Sequence, residues 1–185
     1  MAVPDRGTGP RRPDLALSGH PRLHLEQDGS RWYWRDQPLR GAAVCFDLDG
    51  VLSDAAGRQH FLKGPRPDWE AFFAASGDDP LVGEVAIALG LLSADLAIVL
   101  LTARPARTSP TTIAWLARHD LRWDVLVMRP DGDHRPARAF KRDAVRQVLA
   151  HGLALKLCFE DDRRNVEMFR AEGVPALYIH SGYYD

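Results

Sequence analysis

Cysteine is scarce in this chain, whose 185 residues contain only Cys45 and Cys158. Two cysteines are too few for a disulfide framework, and each lies within an apolar run that is typical of a buried strand. This excludes a disulfide-stapled secreted domain. We expect two buried free thiols in a reducing compartment rather than a structural disulfide.

Long hydrophobic runs are also missing. The most apolar stretch, residues 85–103, is interrupted by Asp95 and is typical of a helix, a turn and a strand. The first residues contain arginines but no apolar segment behind them, so we expect no signal peptide. The sequence therefore predicts a soluble, cytoplasmic protein.

An excess of one charge is absent as well, because 24 basic residues balance 25 acidic ones. A strong general attraction to nucleic acid or to a membrane is thus not indicated. The distribution is uneven: residues 41–103 have 3 basic and 9 acidic side chains, whereas residues 104–147 have 10 basic and 5 acidic ones. No glycine-rich Walker loop is found, which excludes nucleotide binding of that type.

Apolar runs and helix-like segments alternate along most of the chain, with 45% hydrophobic residues overall. Continuous apolar strands alternating with helices predict an α/β fold, a Rossmann-like parallel sheet with helices on both faces. The predicted strands are residues 42–48, 97–102, 124–128, 155–159 and 175–179. The predicted helices are residues 68–76, 81–92, 109–119, 138–150 and 162–172.

The first forty residues differ from the rest. Residues 1–20 are rich in Pro, Gly and Arg and predict a flexible tail. Residues 21–40 alternate apolar and polar side chains around a possible turn and predict an accessory β-hairpin on the sheet edge, with Trp32 and Trp34 on one face in the core or in a dimer contact. The remaining segment, residues 41–185, forms the main domain.

Polar side chains follow three of the predicted strands. Asp47 and Asp49 end the first, Thr102 and Arg104 end the second, and the fourth runs into three acids, Glu160, Asp161 and Asp162. Ligands of parallel α/β sheets bind beyond the carboxyl ends of the strands. Several carboxylates at one such edge predict a site for Mg²⁺, which prefers hard oxygen ligands.

The segment Asp47-Leu48-Asp49-Gly50-Val51-Leu52 resembles the first signature of the haloacid dehalogenase superfamily. Thr102, Lys141 and the pair Asp161-Asp162 resemble the other three signatures, in order and at plausible spacing. The resemblance spans about 120 of the 185 residues, and the combination of four motifs is far more specific than any one of them. It implies a haloacid dehalogenase-like hydrolase fold and a phosphatase activity.

The resemblance also implies roles for these residues. Asp47 would attack phosphorus and become an aspartyl-phosphate, and Asp49 would act as acid and base, which requires a pKa above that of Asp47. Thr102 and Lys141 would hold the phosphoryl oxygens. The implied Mg²⁺ ligands are Asp47, Asp49 through its carbonyl group, and Asp161 with Asp162.

The choice of Lys141 can be checked by elimination, because the chain contains three lysines. Lys63 lies just after the first motif, and Lys156 lies inside the fourth predicted strand. Lys141 alone begins a helix that leads into that strand.

Neither interval between the motifs is long enough for a full cap domain, so we expect a minimal cap or none. A closer resemblance is to the 3′-phosphatase domain of T-even phage polynucleotide kinases. This resemblance implies three further substrate-binding residues, Arg58, Ala103 and Arg104. The segment Thr102-Ala103-Arg104 stands where the family has Ser-Gly-Arg. The kinase half is absent from these 185 residues, so a separate kinase or ligase is the implied partner.

The substrate stays open at this point. The loop 129–140 is rich in arginine, which suits the 3′ end of a polynucleotide, but an arginine-rich composition explains it equally well. A small-molecule phosphatase or nucleotidase is the alternative, and a non-catalytic binding module is a third. The histidines 60, 134 and 180 lack zinc-ligand spacing, so we expect no zinc.

Overall fold

The computed structural model describes residues 22–25 and 31–184. The predicted tail over residues 1–20 and the possible turn at Asp28-Gly29 lie outside the described residues. No helix in the described part of the chain is both long enough and apolar enough to cross a membrane.

A seven-stranded sheet forms the centre of the fold, in the order β1-β2-β5-β4-β3-β6-β7. Strands β5, β4, β3, β6 and β7 are parallel to one another. Strand β2 is antiparallel to β5, and β1 is antiparallel to β2. The strands are β1 (Arg22–Leu25), β2 (Arg31–Trp34), β3 (Gly41–Phe46), β4 (Ala97–Pro105), β5 (Val125–Arg129), β6 (Leu153–Glu160) and β7 (Ala176–Tyr178).

Among the described residues, five α-helices and three 3₁₀ helices connect the strands. The α-helices are α1 (Trp69–Ala74), α2 (Gly83–Gly90), α3 (Ser109–Arg118), α4 (Ala137–His151) and α5 (Arg163–Ala171). The 3₁₀ helices are Ala55–Leu62, Ala75–Asp78 and Ala106–Thr108. The predicted α/β class is confirmed, and every predicted strand and helix corresponds to an observed one.

Two apolar layers cover the sheet, because successive side chains of a strand point to opposite faces. In β3, Ala43 and Cys45 pack in one layer with α4 and α5, and Val44 and Phe46 pack in the other with α2 and α3. Burial on both faces explains why the parallel strands are continuous apolar runs.

Strand β2 is part of the core. It pairs with β1 on one side and with β5 on the other, and Trp32 and Trp34 are 0% and 1% exposed. Both indole rings lie 5.2–5.6 Å from the ring of His151, at the end of α4. The tryptophans therefore share one buried face, and core packing is their use here.

Strand β4 extends three residues further than predicted. Its pairing with β5 shifts register between Thr102 and Pro105, and Pro105 then pairs with Arg129. Such an irregularity bends a strand and redirects its side chains. The expected strand-end motif, residues 102–104, therefore lies within β4 at this irregularity and not after the end of the strand.

Cys45 and Cys158 are neighbours on the adjacent strands β3 and β6. Both are buried and free, which confirms the prediction of two free thiols. Burial raises the pKa of the Cys158 thiol well above its ordinary value, so this group stays protonated.

Candidate active site

Asp47 directly follows β3 in the middle of the sheet. Its backbone N–H donates to the carbonyl oxygen of Phe159 in β6 (3.0 Å), which fixes the residue at the carboxyl edge. Carboxylate oxygen Oδ2 accepts from Lys141 Nζ (2.6 Å), and Oδ1 accepts from the N–H of Leu48 (2.8 Å). The side chain is 7% exposed, so it reaches the surface only at its tip.

Lys141 is oriented by Glu160, the last residue of β6. Glu160 Oε2 accepts from Lys141 Nζ at 2.7 Å, while Oε1 accepts from Asn165 Nδ2 (3.1 Å) and from the N–H of Asp162 (3.2 Å). Lys141 is 1% exposed, and its two anionic partners outweigh burial and raise the pKa of its ammonium group. Lys141 is therefore a fixed positive charge beside Asp47.

Asp161 lies next to this pair and has an unusual environment. Its Oδ2 is buried and has no hydrogen-bond partner among the described residues. The backbone at Gly50 passes so closely that a Cβ added there would lie 1.9 Å from this oxygen, and Gly50 has a φ of +82°. Glycine is thus required at position 50 both by conformation and by space.

Oxygen atoms of Asp47, Glu160 and Asp161 lie within 4.8 Å of one another. Burial raises the pKa of Asp47 well above its ordinary value, and Glu160 and Asp161 reinforce this while Lys141 opposes it. Burial and the charge of Glu160 raise the pKa of Asp161 to about 7. A divalent cation would relieve both shifts and satisfy the orphaned Asp161 oxygen, so the residues present fit a hard metal ion.

Asp49 is held on the other side by two arginines. Its Oδ1 accepts from Arg58 (2.5 Å) and from both Nε (2.9 Å) and a terminal nitrogen (2.5 Å) of Arg104. Burial alone would raise the pKa of Asp49, but Arg104 and Arg58 outweigh it and the pKa lies below its ordinary value.

These arginines are in turn anchored by Asp79, a buried residue between the second 3₁₀ helix and α2. Asp79 accepts three hydrogen bonds of 2.7–3.0 Å from Arg58 and one of 3.3 Å from Arg104. Ser53 donates to Asp79 and accepts from Arg104 at 2.9 Å. Two cations and two carboxylates therefore form a closed, hydrogen-bonded network, which satisfies the condition for burying charge.

Three expectations from the sequence differ from this arrangement. Arg58 and Arg104 are 2% and 0% exposed, and neither lines the cleft, because Asp49 and Asp79 sequester their guanidinium groups. Both arginines instead donate to Asp49, which itself lines the cleft. The expected order of pKa values is also reversed, since the arginines lower that of Asp49 while burial raises that of Asp47.

The third difference concerns Asp162. Its carboxylate caps α5 by accepting from the N–H of Arg164 (2.9 Å) and pairs with the Arg164 guanidinium (2.8 Å). It is not in the carboxylate cluster, where Glu160 lies instead. Position 160 ends a strand and faces inward with Lys141, whereas position 162 begins a helix, where capping competes for its oxygens.

An open cleft of about 1060 Å³ leads to these groups. Asp47, Asp49, Thr102, Ala103 and Lys141 line its floor. Its walls come from the first 3₁₀ helix with α1, from the third 3₁₀ helix, from the end of β5 with the loop that follows, from α5 and from residues 182–184. They include Gln59, Leu62, Lys63, Trp69, Phe73, Arg107, Arg129, Arg135, Asn165, Tyr183 and Tyr184.

Several residues of this site were not singled out from the sequence. Glu160 was noted only as one acid among three, and Asn165 only as part of a helix. Asp79 and Ser53 had no signal at all, because isolated acids and serines before a helix are usually caps. Their roles arise from contacts across 21 and more residues of sequence, which no local pattern encodes.

Residues 41–184 match the family model of the polynucleotide kinase PNKP phosphatase domain. Among solved structures, the chain is similar to a subunit in the structure of the Pnkp1/Rnl/Hen1 RNA repair complex, with 25% identity and a TM-score of 0.63 over 80% of this chain and 45% of that one. A second structure of the Pnkp1/Rnl/Hen1 complex gives 25% identity and a TM-score of 0.64, over 79% and 47% of the two chains. The chain thus spans about half the length of these relatives.

Two further structures share the fold at lower identity. One is a class C acid phosphatase from Bacillus anthracis, with 14% identity and a TM-score of 0.56 over 80% of this chain and 69% of that one. The other is a haloacid dehalogenase-like hydrolase from Streptococcus pneumoniae, with 17% identity and a TM-score of 0.51 over 75% and 84% of the two chains. Among curated proteins, none matches the chain.

Proposed function

Because the chain belongs to the family of polynucleotide kinase phosphatase domains, in the haloacid dehalogenase superfamily, and is a phosphatase, we propose that it hydrolyses 3′-phosphate ends of polynucleotides with Mg²⁺. The observation that carries the chemistry is the position of Asp47. One of its oxygens lies 2.6 Å from Lys141, and its carboxylate lines an open cleft and clusters with that of the buried Asp161. A nucleophile, a fixed cation and a metal-binding acid thus meet at one point.

In the proposed reaction, a carboxylate oxygen of Asp47 attacks phosphorus, and the bond from phosphorus to the leaving oxygen breaks. Asp49 then gives that oxygen a proton, which requires that the negative charge of the bound phosphate raise the pKa of Asp49 above the low value that Arg104 and Arg58 impose. An aspartyl-phosphate remains on Asp47. Asp49 then takes a proton from water as the water oxygen attacks phosphorus, which releases inorganic phosphate and restores Asp47. The low pKa of Asp49 suits the second step, in which it acts as a base.

Lys141 and Thr102 would bind the phosphoryl oxygens as negative charge spreads over them. Mg²⁺ would be held by Asp47, Asp161 and the carbonyl group of Asp49, with Asp162 outside the direct ligands. The ion supplies positive charge that lets an anionic nucleophile approach an anionic phosphate. Ala103 is the other residue that we propose to contact the substrate. It lines the cleft beside Thr102 and would act through its backbone.

A polynucleotide substrate is supported by the family and by the open cleft. The loop after β5 supports it less than its composition suggests, since Arg135 is paired with Asp133 (2.9 Å) and Asp143 (2.7 Å). One of these acids, Asp133, has a side chain only 11% exposed, so Arg135 is held more firmly than a fully exposed pair would hold it. This favours the second candidate, a small-molecule phosphatase or nucleotidase. A non-catalytic module is the poorest account of a site that keeps nucleophile, lysine and acids together.

A substrate panel separates these candidates. A 3′-phosphorylated oligonucleotide is compared with the matching 5′-phosphorylated one, with 3′- and 5′-mononucleotides and with sugar phosphates, each with Mg²⁺. We expect the highest kcat/KM on the 3′-phosphorylated oligonucleotide, falling with salt because phosphate contacts release counterions. Higher kcat/KM on mononucleotides or sugar phosphates contradicts the polynucleotide proposal and leaves the phosphatase assignment intact.

We further propose the organisation in which this activity operates. Residues 41–185 form the phosphatase domain, residues 21–40 the hairpin that extends its sheet, and residues 1–20 a tail. A separate kinase or ligase completes end repair, as the presence of a similar chain in the Pnkp1/Rnl/Hen1 RNA repair complex suggests. A cytoplasmic location agrees with the two free thiols.

A further inference from the structure

The exposed aromatic side chains of this protein are concentrated at one place. In residues 31–184, six large apolar side chains are exposed, of which four are aliphatic and two, Trp69 and Tyr184, are aromatic. The two aromatic ones both line the cleft, whereas Ile87, Leu91, Leu149 and Leu177 lie outside it. A single exposed apolar side chain is ordinary, but an indole that is 53% exposed and lines the same cleft as Asp47 is placed to contact a ligand there.

Trp69 is also rigidly placed. Its ring stacks on Phe73 at 5.8 Å and meets the edge of Phe72 at 5.7 Å. The guanidinium of Arg58 lies 4.1 Å from the centre of the Phe72 ring and donates to the Phe72 carbonyl oxygen, while also holding Asp49. A short series of contacts thus fixes the free face of Trp69 relative to Asp49, which reduces the entropy lost when a ligand stacks on it.

Cations line the same cleft as this ring. Two of them are Arg107 and Lys63, and Arg107 pairs with Glu70, the residue next to Trp69, at 2.5 Å and with Asp131 at 3.7 Å. The side chains of these pairs are 44–76% exposed, so the interactions are weak and a phosphate can compete with the two acids for Arg107. A flat apolar face next to exchangeable cations is complementary to a nucleoside followed by a phosphodiester.

We infer that Trp69 is the stacking platform for the nucleobase adjoining the scissile 3′-phosphate, with Arg107 binding the next phosphate of the strand. The inference rests on the proposed function and adds to it the means by which a nucleic-acid end is distinguished from other phosphomonoesters. Stacking accepts any base, so the subsite selects nucleotides without selecting sequence.

Fluorescence provides a direct test, because Trp69 is the exposed member of the five tryptophans and the other four are at most 5% exposed. Asp47→Asn protein is titrated with a 3′-phosphorylated oligonucleotide, and binding is followed independently by the anisotropy of a label on the oligonucleotide. We expect strong quenching of the emission. Trp69→Phe in the same background should lose the quenching and keep most of the affinity, and Trp69→Ala should weaken binding about 5- to 150-fold.

Two controls make the test specific. An oligonucleotide whose 3′-terminal nucleoside lacks its base should bind the Trp69→Ala protein and its parent equally well. Leu91→Ala removes an exposed apolar side chain outside the cleft and should change neither quenching nor affinity. Equal weakening of the abasic and the complete oligonucleotide by Trp69→Ala, or no weakening of either, overturns the platform.

The outcomes also separate this inference from the proposed function. If 3′-mononucleotides quench and bind as tightly as oligonucleotides, the platform stands and the polynucleotide proposal falls. If the oligonucleotide binds and is hydrolysed but Trp69→Ala has no effect, the proposed function stands and the platform falls. If no nucleotide of either kind binds, both fall.

Discussion

The carboxylate of Asp79 joins the two arginines that hold Asp49, accepting from Arg58 at 2.7–3.0 Å and from Arg104 at 3.3 Å. Asp79 does not line the cleft, so its influence on the reaction passes through these arginines. The network makes the proposed acid–base residue a rigid part of the core.

Asp79→Asn should therefore reduce both stability and turnover. The amide keeps the shape but removes one of two negative charges that neutralise Arg58 and Arg104, and breaking a buried pair costs about 3–5 kcal/mol. Asp49 would then be the remaining carboxylate that neutralises both arginines. Because Asp49 is the proposed acid and base, kcat should fall more than KM rises. Denaturant unfolding and steady-state kinetics measure this. Asp78→Asn, at the exposed neighbouring position, is the matched control, and an equal effect of the two changes contradicts the proposed network.

Asp47→Asn should abolish turnover, because a carboxamide is a poor nucleophile, with a loss of about three powers of ten or more. The variant should remain folded. Beryllium fluoride should be bound by the unchanged protein in the presence of Mg²⁺ and not by the variant, which native mass spectrometry can detect. Activity above a tenth of that of the unchanged protein would remove Asp47 from the role of nucleophile.

Removal of metal should abolish activity, and addition of Mg²⁺ should raise the melting temperature. The cation binds the folded protein and relieves repulsion among Asp47, Glu160 and Asp161, which at 100-fold excess over Kd contributes about 2.7 kcal/mol. Asp161→Asn should greatly reduce this thermal shift. Asp95→Asn, on a fully exposed acid, should leave the shift unchanged; full activity in excess chelator would contradict the metal site.

Gly50→Ala should impair the metal site more than the fold. The new methyl group would lie 1.9 Å from Asp161 Oδ2, and the positive φ adds strain, so the Asp161 carboxylate must move. We expect a weaker dependence of the melting temperature on Mg²⁺ and a loss of activity of at least tenfold. Gly57→Ala, where an added Cβ meets nothing within 4 Å, is the control.

Trp32→Ala should destabilise the protein by about 3–5 kcal/mol, because it empties a fully buried site between β2 and α4. Urea unfolding monitored by circular dichroism would measure the change. Trp69→Ala removes an exposed indole and serves as the size-matched control. A loss below about 1 kcal/mol would mean that the hairpin is not integral to the core.

The sequence allowed the arrangement of the sheet and its carboxyl edge to be predicted, because apolar runs and acids at their ends are local signals. Asp47, Thr102 and Lys141 do meet at the cleft floor. The sequence could not reveal how the charged side chains near the cleft floor pair with one another. Arg58 and Arg104 were expected to face the substrate, and Asp79, 21 residues from Arg58, turns them inward.

The carboxylate cluster contains Glu160 where the sequence predicts Asp162, and this difference also arises from contacts that the sequence does not reveal. The three acids 160–162 are equivalent in composition, and only the change from strand to helix decides which carboxylate faces Lys141 and which caps α5. Side chains two residues apart in an extended strand share a face, so Glu160 and Asp162 differ only because β6 ends at residue 160 and Asp162 caps α5.

The bond between Lys141 and Asp47 joins residues 94 positions apart in the chain. Strand β3, which precedes Asp47, and helix α4, which contains Lys141, become adjacent only when the parallel crossovers between them are complete. Enzymatic activity thus reports completion of the whole sheet, and a partly folded chain has no means of catalysing phosphate release prematurely.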